Sequence, residues 1–317
     1  MKADWQSVST DVPVSDPSDV RLGHLIAPAS LDGLEEDRRI ILLGFPSDEG
    51  VRRNGGRPGA AAACDRIRHW LYRLTPDGSA WEDHRRVLEE MADLGNLRCS
   101  GDLEHDQQVL GNVVCELLRH QRMPVILGGG HETTFGHFLG YVRANQQVSI
   151  VNIDAHPDVR PLQDGRGHSG SPFRQALEHA SGACRSYTVL GLNRFATAAA
   201  HLEYLHERQA EYCWSGQLTH ERAHDAFQLA APVLATFDLD VLDQESAPGV
   251  SAPNPQGISK SVWLTLARSA GRSAAVRSLD IVELNPRFDR DDQTARLAAL
   301  TLWQFTRGLA ERSASAG

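Results

Sequence analysis

The sequence predicts an α/β fold: a mostly parallel sheet with helices on both faces. Three observations carry this. Apolar runs of strand length alternate with helix-length segments along the chain. Each run is short and continuously apolar, so it reads as a buried strand. Several runs end in Gly, His or Asp, at the strand ends where ligand crevices open in parallel sheets.

In chain order, residues 1–37 carry Pro, Asp and Ser without periodicity, which predicts a loosely ordered N-terminal leader. Residues 38–317 show no internal repeat and no low-complexity linker, so one domain is expected there. Residues 39–45 form the first strand. Residues 46–59 are a polar loop rich in Gly and Arg, and such loops border the crevice. Pro58 suits the first turn of a helix over 60–74. A short strand is expected at 87–94. Residues 104–120 are helical, with Val109, Val113, Leu117 and Leu118 as a packing stripe.

Residues 124–127 are the next strand. Gly128, Gly129 and Gly130 follow, letting the backbone pass close to something and placing His131 at the strand's carboxyl end. A helix then runs to about 145. Residues 148–153 are a strand, 160–170 a loop, and a helix over 173–179 starts at Ser171 or Pro172. Further strands are expected at 187–191, 233–240 and 276–283. Helices are expected at 197–209 and 220–229, from a Ser259 cap to about 270, and at 291–312.

Composition narrows the function. The chain has 317 residues, 41% of them hydrophobic, with 32 Lys+Arg against 41 Asp+Glu and a net charge of −9. That balance attracts neither nucleic acid nor an anionic membrane. No apolar run is long enough to span a bilayer. The N-terminus lacks a basic segment followed by an apolar one, so no signal peptide is expected. Cys64, Cys99, Cys115, Cys184 and Cys213 are scattered without C-x-x-C spacing, which suits a reducing, cytoplasmic setting. No G-x-G-x-x-G follows a strand, and no G-x-x-x-x-G-K-[ST] occurs, so nucleotide binding has little support.

Chemistry concentrates at three strand ends. Asp154, His156 and Asp158 fall at every second position after a strand. In an extended chain they would share one face. Crowded there, they would repel and lose water unless a cation compensated them. Asp238 and Asp240 repeat the device, and His131 adds the third strand end. Four carboxylates and two imidazoles exceed the needs of one structural zinc. An oxygen-rich set with some nitrogen suits Mn²⁺ or a similar divalent ion, and four carboxylates can neutralise two such ions.

With these residues in hand, the chain resembles the ureohydrolases, the arginase–agmatinase–formimidoylglutamase family. Four stretches carry the likeness, in order: Gly-Gly-Gly-His131-Glu, Asn-Ile-Asp154-Ala-His156-Pro-Asp158, Phe-Asp238-Leu-Asp240-Val-Leu-Asp and Ser-Leu-Asp280-Ile-Val-Glu283-Leu-Asn-Pro. The resemblance implies a three-layer α/β/α sandwich on an eight-stranded, mostly parallel sheet, making 38–317 a single arginase-like metallohydrolase domain. It implies two Mn²⁺ per subunit. One would take His131, Asp154, Asp158 and Asp238. The other would take Asp154, His156, Asp238 and Asp240, with Asp154 and Asp238 bridging. It also implies a homo-oligomer, since relatives form trimers and hexamers.

Within the family, residues 47–59, 169–175 and 247–253 are most similar to formimidoylglutamases. The implied reaction is hydrolysis of a small-molecule amidine: N-formimidoyl-L-glutamate gives L-glutamate and formamide, a step of histidine breakdown. Hydroxide would attack the amidine carbon. Asp158 would move the proton, and Glu283 would hold the cationic amidinium. A substrate with two carboxylates asks for donors, and Arg52, Arg53, Arg57 and Arg174 are candidates, with Asn54 and Ser169 adding neutral hydrogen bonds. Ser169 stands where arginases carry a proton-transferring His, and His168 lies one residue earlier. That weighs against arginase itself. The rival readings are a guanidino-group ureohydrolase releasing urea (an agmatinase, a guanidinobutyrase or an arginase-like enzyme) and a non-catalytic amidine-binding protein.

Overall fold

The computed structural model describes residues 3–314 except 15, 17 and 231. Its strands are β1 (Trp5–Gln6), β2 (Ala27–Pro28), β3 (Ile40–Phe45), β4 (Met91–Leu97), β5 (Met123–Gly128), β6 (Val148–Ile153), β7 (Cys184–Leu192), β8 (Glu211–Trp214), β9 (Val233–Asp238) and β10 (Val276–Val282). They form one sheet in the order β1-β4-β3-β5-β10-β9-β6-β7-β8, with β2 also paired to β4. The strands from β3 to β10 run parallel to their neighbours, and β1 joins β4 antiparallel. The expected count of eight is therefore corrected to ten among the described residues. The sequence places seven of the ten: β1 and β2 are two-residue strands from the first 37 residues, too short to leave a periodic trace, and β8 is the third. The same stretch sends Leu22 and Ile26 into the core at 0% and 1% exposure.

Strand side chains divide between two apolar layers. In β3, Ile40 and Leu42 join one cluster, while Ile41, Leu43 and Phe45 join the other. In β9, Val233, Ala235 and Phe237 face the first layer and Leu234 the second. Helices cover both faces, so both sets of alternate residues are dry. That is why these strands read as unbroken apolar runs.

Two local expectations change. The segment expected as a strand from residue 87 begins inside a helix, Trp81–Glu89, and β4 starts only at Met91. Val87 and Leu88 are buried from the helix side together with His84. Short apolar runs do not distinguish the two states. Strand β8 was not expected from the sequence. It is a four-residue edge with one buried residue, Cys213, and so lacks the continuous apolar signature.

The central quartet β5-β10-β9-β6 organises function. Asp280 pairs with Thr236, Val282 with Asp238, and Ile153 with Phe237. Four neighbouring parallel strands thus end at one level, and their carboxyl ends bring four distant sequence segments together.

Candidate metal centre and substrate cavity

After β5 the chain makes a tight passage through Gly129. A Cβ there would lie 1.8 Å from the Ser47 carbonyl oxygen, so only glycine fits. His131 follows, buried, and its backbone N–H donates to Glu283 Oε1 at 2.9 Å. Glu283 itself adopts φ +67° just past β10, and its N–H donates to the Gly129 carbonyl at 2.8 Å. The ends of β5 and β10 therefore lock each other.

The expectation of one extended face for Asp154, His156 and Asp158 is corrected. Strand β6 stops at Ile153. Asp154 Oδ1 accepts the His156 N–H at 2.7 Å, which turns the chain, and Asp158 takes φ +45°. β9 also stops early: Asp238 Oδ1 accepts the Asp240 N–H at 2.8 Å, and a 3₁₀ turn follows over Leu239–Val241. The carboxylates converge because the chain curls around them.

The convergence is close. His131 Nδ1 lies 3.3 Å from Asp154 Oδ2, 3.1 Å from Asp158 Oδ2 and 3.0 Å from Asp238 Oδ2. His156 Nδ1 lies 3.5 Å from Asp154 Oδ1 and 3.2 Å from Asp240 Oδ2. Two donor groups result: His131, Asp154, Asp158 and Asp238, and beside them Asp154, His156 and Asp240. Asp154 gives one oxygen to each. All six side chains named from the sequence meet here, although Asp238 joins only the first group.

The donor set fits divalent cations. His131 Nδ1 and Asp240 Oδ1 are buried without a hydrogen-bond partner, and both belong to these groups. Asn152 Nδ2 donates to Asp154 Oδ2 at 2.9 Å, orienting it. Burial raises the Asp154 carboxyl pKa, but the imidazoles of His131 and His156 outweigh that and hold it below the usual range. Burial, then Asp240 and Asp154, push Asp238 well up. Burial likewise raises Asp240. Burial works against a charged His131, yet Asp154, Asp158 and Asp238 draw its pKa well above the ordinary value. So many acids without a cation must hold protons they would otherwise release.

A cavity of about 220 Å³ opens onto this cluster, lined by His156, Asp158, Asp238, Asp240 and Glu283 on its floor and by loop residues above. A larger hollow along β7 and β8, about 820 Å³, shares none of these residues. Burial, then Glu132 and Asp240, raise the Glu283 carboxyl well above its ordinary pKa. Glu132 is itself pushed up to about 7 by burial, and its Oε1 accepts the Gly50 N–H at 2.8 Å.

Of the residues expected to bind substrate carboxylates, Asn54, Arg57 and Ser169 line the cavity. Asn54 Nδ2 donates to Ser169 Oγ at 3.1 Å. Arg57 is held by the Ser251 and Val250 carbonyls and stacks over Phe288 at 4.0 Å. Arg52, Arg53 and Arg174 are not among the lining residues. Arg52 pairs with Asp48 at 2.7 Å. Arg53 grips Glu104 with both Nη atoms, at 2.6 and 3.0 Å, and also bonds Glu49. Arg174 donates to the Val159 carbonyl and lies over Tyr204. His168 is buried, with Nε2 3.0 Å from the Pro161 carbonyl oxygen and Nδ1 accepting the Gly170 N–H, so it shapes its own loop.

Sequence reasoning missed Arg160, which lines the cavity without an ion-pair partner among the described residues. Its signal was available: it lies two residues after Asp158.

Comparison with known proteins agrees with this geometry. Residues 38–307 match the model of the arginase family. Formimidoylglutamases of Salmonella paratyphi B and Salmonella agona are each 38% identical over 280 residues, covering 84% of this chain and 85% of the relative. Trypanosoma cruzi formiminoglutamase, solved with Mn²⁺₂, superposes with a TM-score of 0.85 at 32% identity, covering 93% of this chain and 99% of that one. Agmatine ureohydrolase of Thermoplasma volcanium shares the fold alone, with a TM-score of 0.76 at 24% identity over 89% of this chain and 92% of that one. The chain belongs to the arginase family.

Proposed function

We propose that the protein is a binuclear manganese hydrolase that converts N-formimidoyl-L-glutamate and water to L-glutamate and formamide, in histidine breakdown. One observation carries the reading: two overlapping donor groups share Asp154 beside a small polar cavity. The name borne by the 38%-identical relatives supports the substrate, and the manganese reported for the Trypanosoma cruzi structure supports the metal.

In this reading His131, Asp154, Asp158 and Asp238 hold one ion, and Asp154, His156, Asp238 and Asp240 the other. When bound, such a pair lowers the pKa of water and polarises the group under attack. The chain's own residues do the rest. Asp158, on the cavity floor, takes a proton from the attacking water and gives it to the departing glutamate nitrogen. Glu283 faces the cationic amidinium and draws it into place by charge-assisted hydrogen bonds. Arg57, Arg160, Asn54 and Ser169 line the same cavity and supply donors for the substrate carboxylates.

The reading takes residues 38–317 as one catalytic domain, onto whose sheet and core the described part of the first 37 residues packs. It includes a homo-oligomer at work in the cytoplasm. No helix among the described residues is long and apolar enough to cross a membrane.

A substrate panel on manganese-loaded protein tests it. Glutamate and formamide from formimidoylglutamate, with no urea from agmatine or guanidinobutyrate, is the expected result. Urea release without turnover of formimidoylglutamate would overturn the substrate assignment. Amidine binding without any turnover would overturn the hydrolase.

A further inference from the structure

Behind the two donor groups lies a chain of buried polar contacts whose residues are not among those lining the cavity. His131 Nε2 is 3.0 Å from Thr236 Oγ1. Thr236 Oγ1 is 3.2 Å from Thr134 Oγ1. Thr134 Oγ1 is 3.2 and 3.1 Å from the two carboxylate oxygens of Asp280. His137 Nδ1 is 2.7 Å from Asp280 Oδ2. All five side chains are at most 1% exposed, so bulk water does not compete.

The fold explains the alignment. Thr236 and Asp280 are register partners on the adjacent strands β9 and β10. Thr134 and His137 are three apart on the helix Thr133–Arg143, and so share one face. One helix face thus packs its side chains against those of a central strand pair.

The order of donors follows from chemistry. An ionised carboxylate only accepts hydrogen bonds. Thr134 must therefore spend its single O–H on Asp280, and His137 must donate from Nδ1. The Thr134 oxygen is then left to accept, so Thr236 donates its O–H to Thr134. Thr236 presents only lone pairs to His131, and Nε2 must carry a proton there. Nδ1, the atom facing Asp154, Asp158 and Asp238, is the nitrogen left to coordinate. Its lack of any hydrogen-bond partner is the independent mark of the same polarity.

We propose that Asp280 fixes the proton position of His131 through Thr134 and Thr236, keeping Nε2 protonated and Nδ1 open to a divalent cation. These three are positioning residues, and His137 anchors the carboxylate at the start of the relay. The inference rests on the two-cation reading above. If the relay ran in reverse, Thr236 would donate to Nε2, and Nδ1–H would point into the site and exclude a cation. Partners of this kind are worth roughly 10–100-fold in metal affinity.

The test is Mn²⁺ binding to metal-free full-length protein, followed through the electron paramagnetic resonance of free Mn²⁺. Thr134→Val keeps the volume but removes the hydroxyl, while Thr134→Ser loses a methyl and keeps the hydroxyl. Asp280→Asn keeps the shape but can donate. The expected result is one of two Mn²⁺ equivalents weakened about tenfold or more in T134V and D280N, with T134S close to the parent. Equal losses in T134V and T134S would mark a packing role and overturn the relay. So would unchanged binding in T134V. A parent that bound no Mn²⁺ would overturn the metal reading itself, which is a different failure. Thermal unfolding of the metal-free variants separates loss of the relay from loss of the fold.

Discussion

Arg160 donates from Nη1 to Asn54 Oδ1 at 3.1 Å, joining the loop after β6 to the loop after β3 at the cavity. Arg160 has no carboxylate within ion-pair distance among the described residues, whereas Arg52, Arg53 and Arg174 do. A cation already paired gains little from a new anion. An unpaired one beside a cavity is free to meet the substrate's carboxylate. Arg160→Leu is expected to raise KM for formimidoylglutamate about 10–100-fold, the worth of a hydrogen bond to a charged group, with kcat little changed. Steady-state kinetics decide. An unchanged KM assigns the carboxylate to other donors.

The contrast between Arg160 and Arg53 shows where sequence reading stops. Both are arginines in segments that follow apolar runs, and closeness to Asp158 is the one local mark that sets Arg160 apart. Arg53 is committed to Glu104, 51 residues away, and that pairing is a product of the fold. The cluster of carboxylates and imidazoles was legible because three short segments each carried compatible side chains at strand ends. The reason offered for their convergence was incomplete: Asp154 and Asp238 each cap a turn with their own side chain, and that turn aims His156 and Asp240. Parallel order was legible from the alternation of runs. Strand β8 and the two-residue strands were not, because edge strands bury few side chains and leave no apolar signature.

Metal should hold the fold as well as the chemistry. Asp154, Asp238 and Asp240 are at most 5% exposed and crowded against one another. A ligand that binds only the native state at a hundredfold above its Kd stabilises it by about 2.7 kcal/mol. For a chain of this size that corresponds to a rise in unfolding temperature of about 4 °C. Thermal unfolding with EDTA, then with added Mn²⁺, reads this directly. Identical midpoints under both conditions would mean that no cation occupies the cluster.

Asp158 and Glu283 should fail differently. Asp158 is close to His131 Nδ1, at 3.1 Å, and in a position to pass a proton at the cavity floor. Asp158→Asn is expected to lower kcat about 10²-fold or more while substrate still binds. Glu283→Gln keeps an oxygen for the His131 N–H but loses the charge offered to the amidinium. Its kcat/KM should fall about 10–100-fold. Kinetic constants for the pair, with Mn²⁺ content measured alongside, separate the two roles. Matching losses in kcat alone would mean that Glu283 does not hold the substrate's cationic group.

Acid sensitivity should originate at His84, well away from the residues of the cavity. His84 is 0% exposed on the helix Trp81–Glu89. Its Nδ1 accepts the Asp77 backbone N–H at 3.0 Å, and its Nε2 lies 2.9 Å from Thr306 Oγ1. Protonating Nδ1 would break the first bond. Burial, reinforced by Arg307, lowers the ring's pKa to about 4 from 6.5. The unfolded chain takes up this proton near pH 6.5 and the folded chain only near 4. Stability is therefore full above pH 6.5, falls as pH drops through that window, and levels off below it. The loss should be about 3 kcal/mol. Urea unfolding of the parent and of His84→Gln between pH 4 and 7 isolates the effect, because other acids titrate alike in both. The difference between the two stabilities should shrink toward low pH. Parallel profiles would remove His84 from the account and leave acid unfolding to the carboxylates.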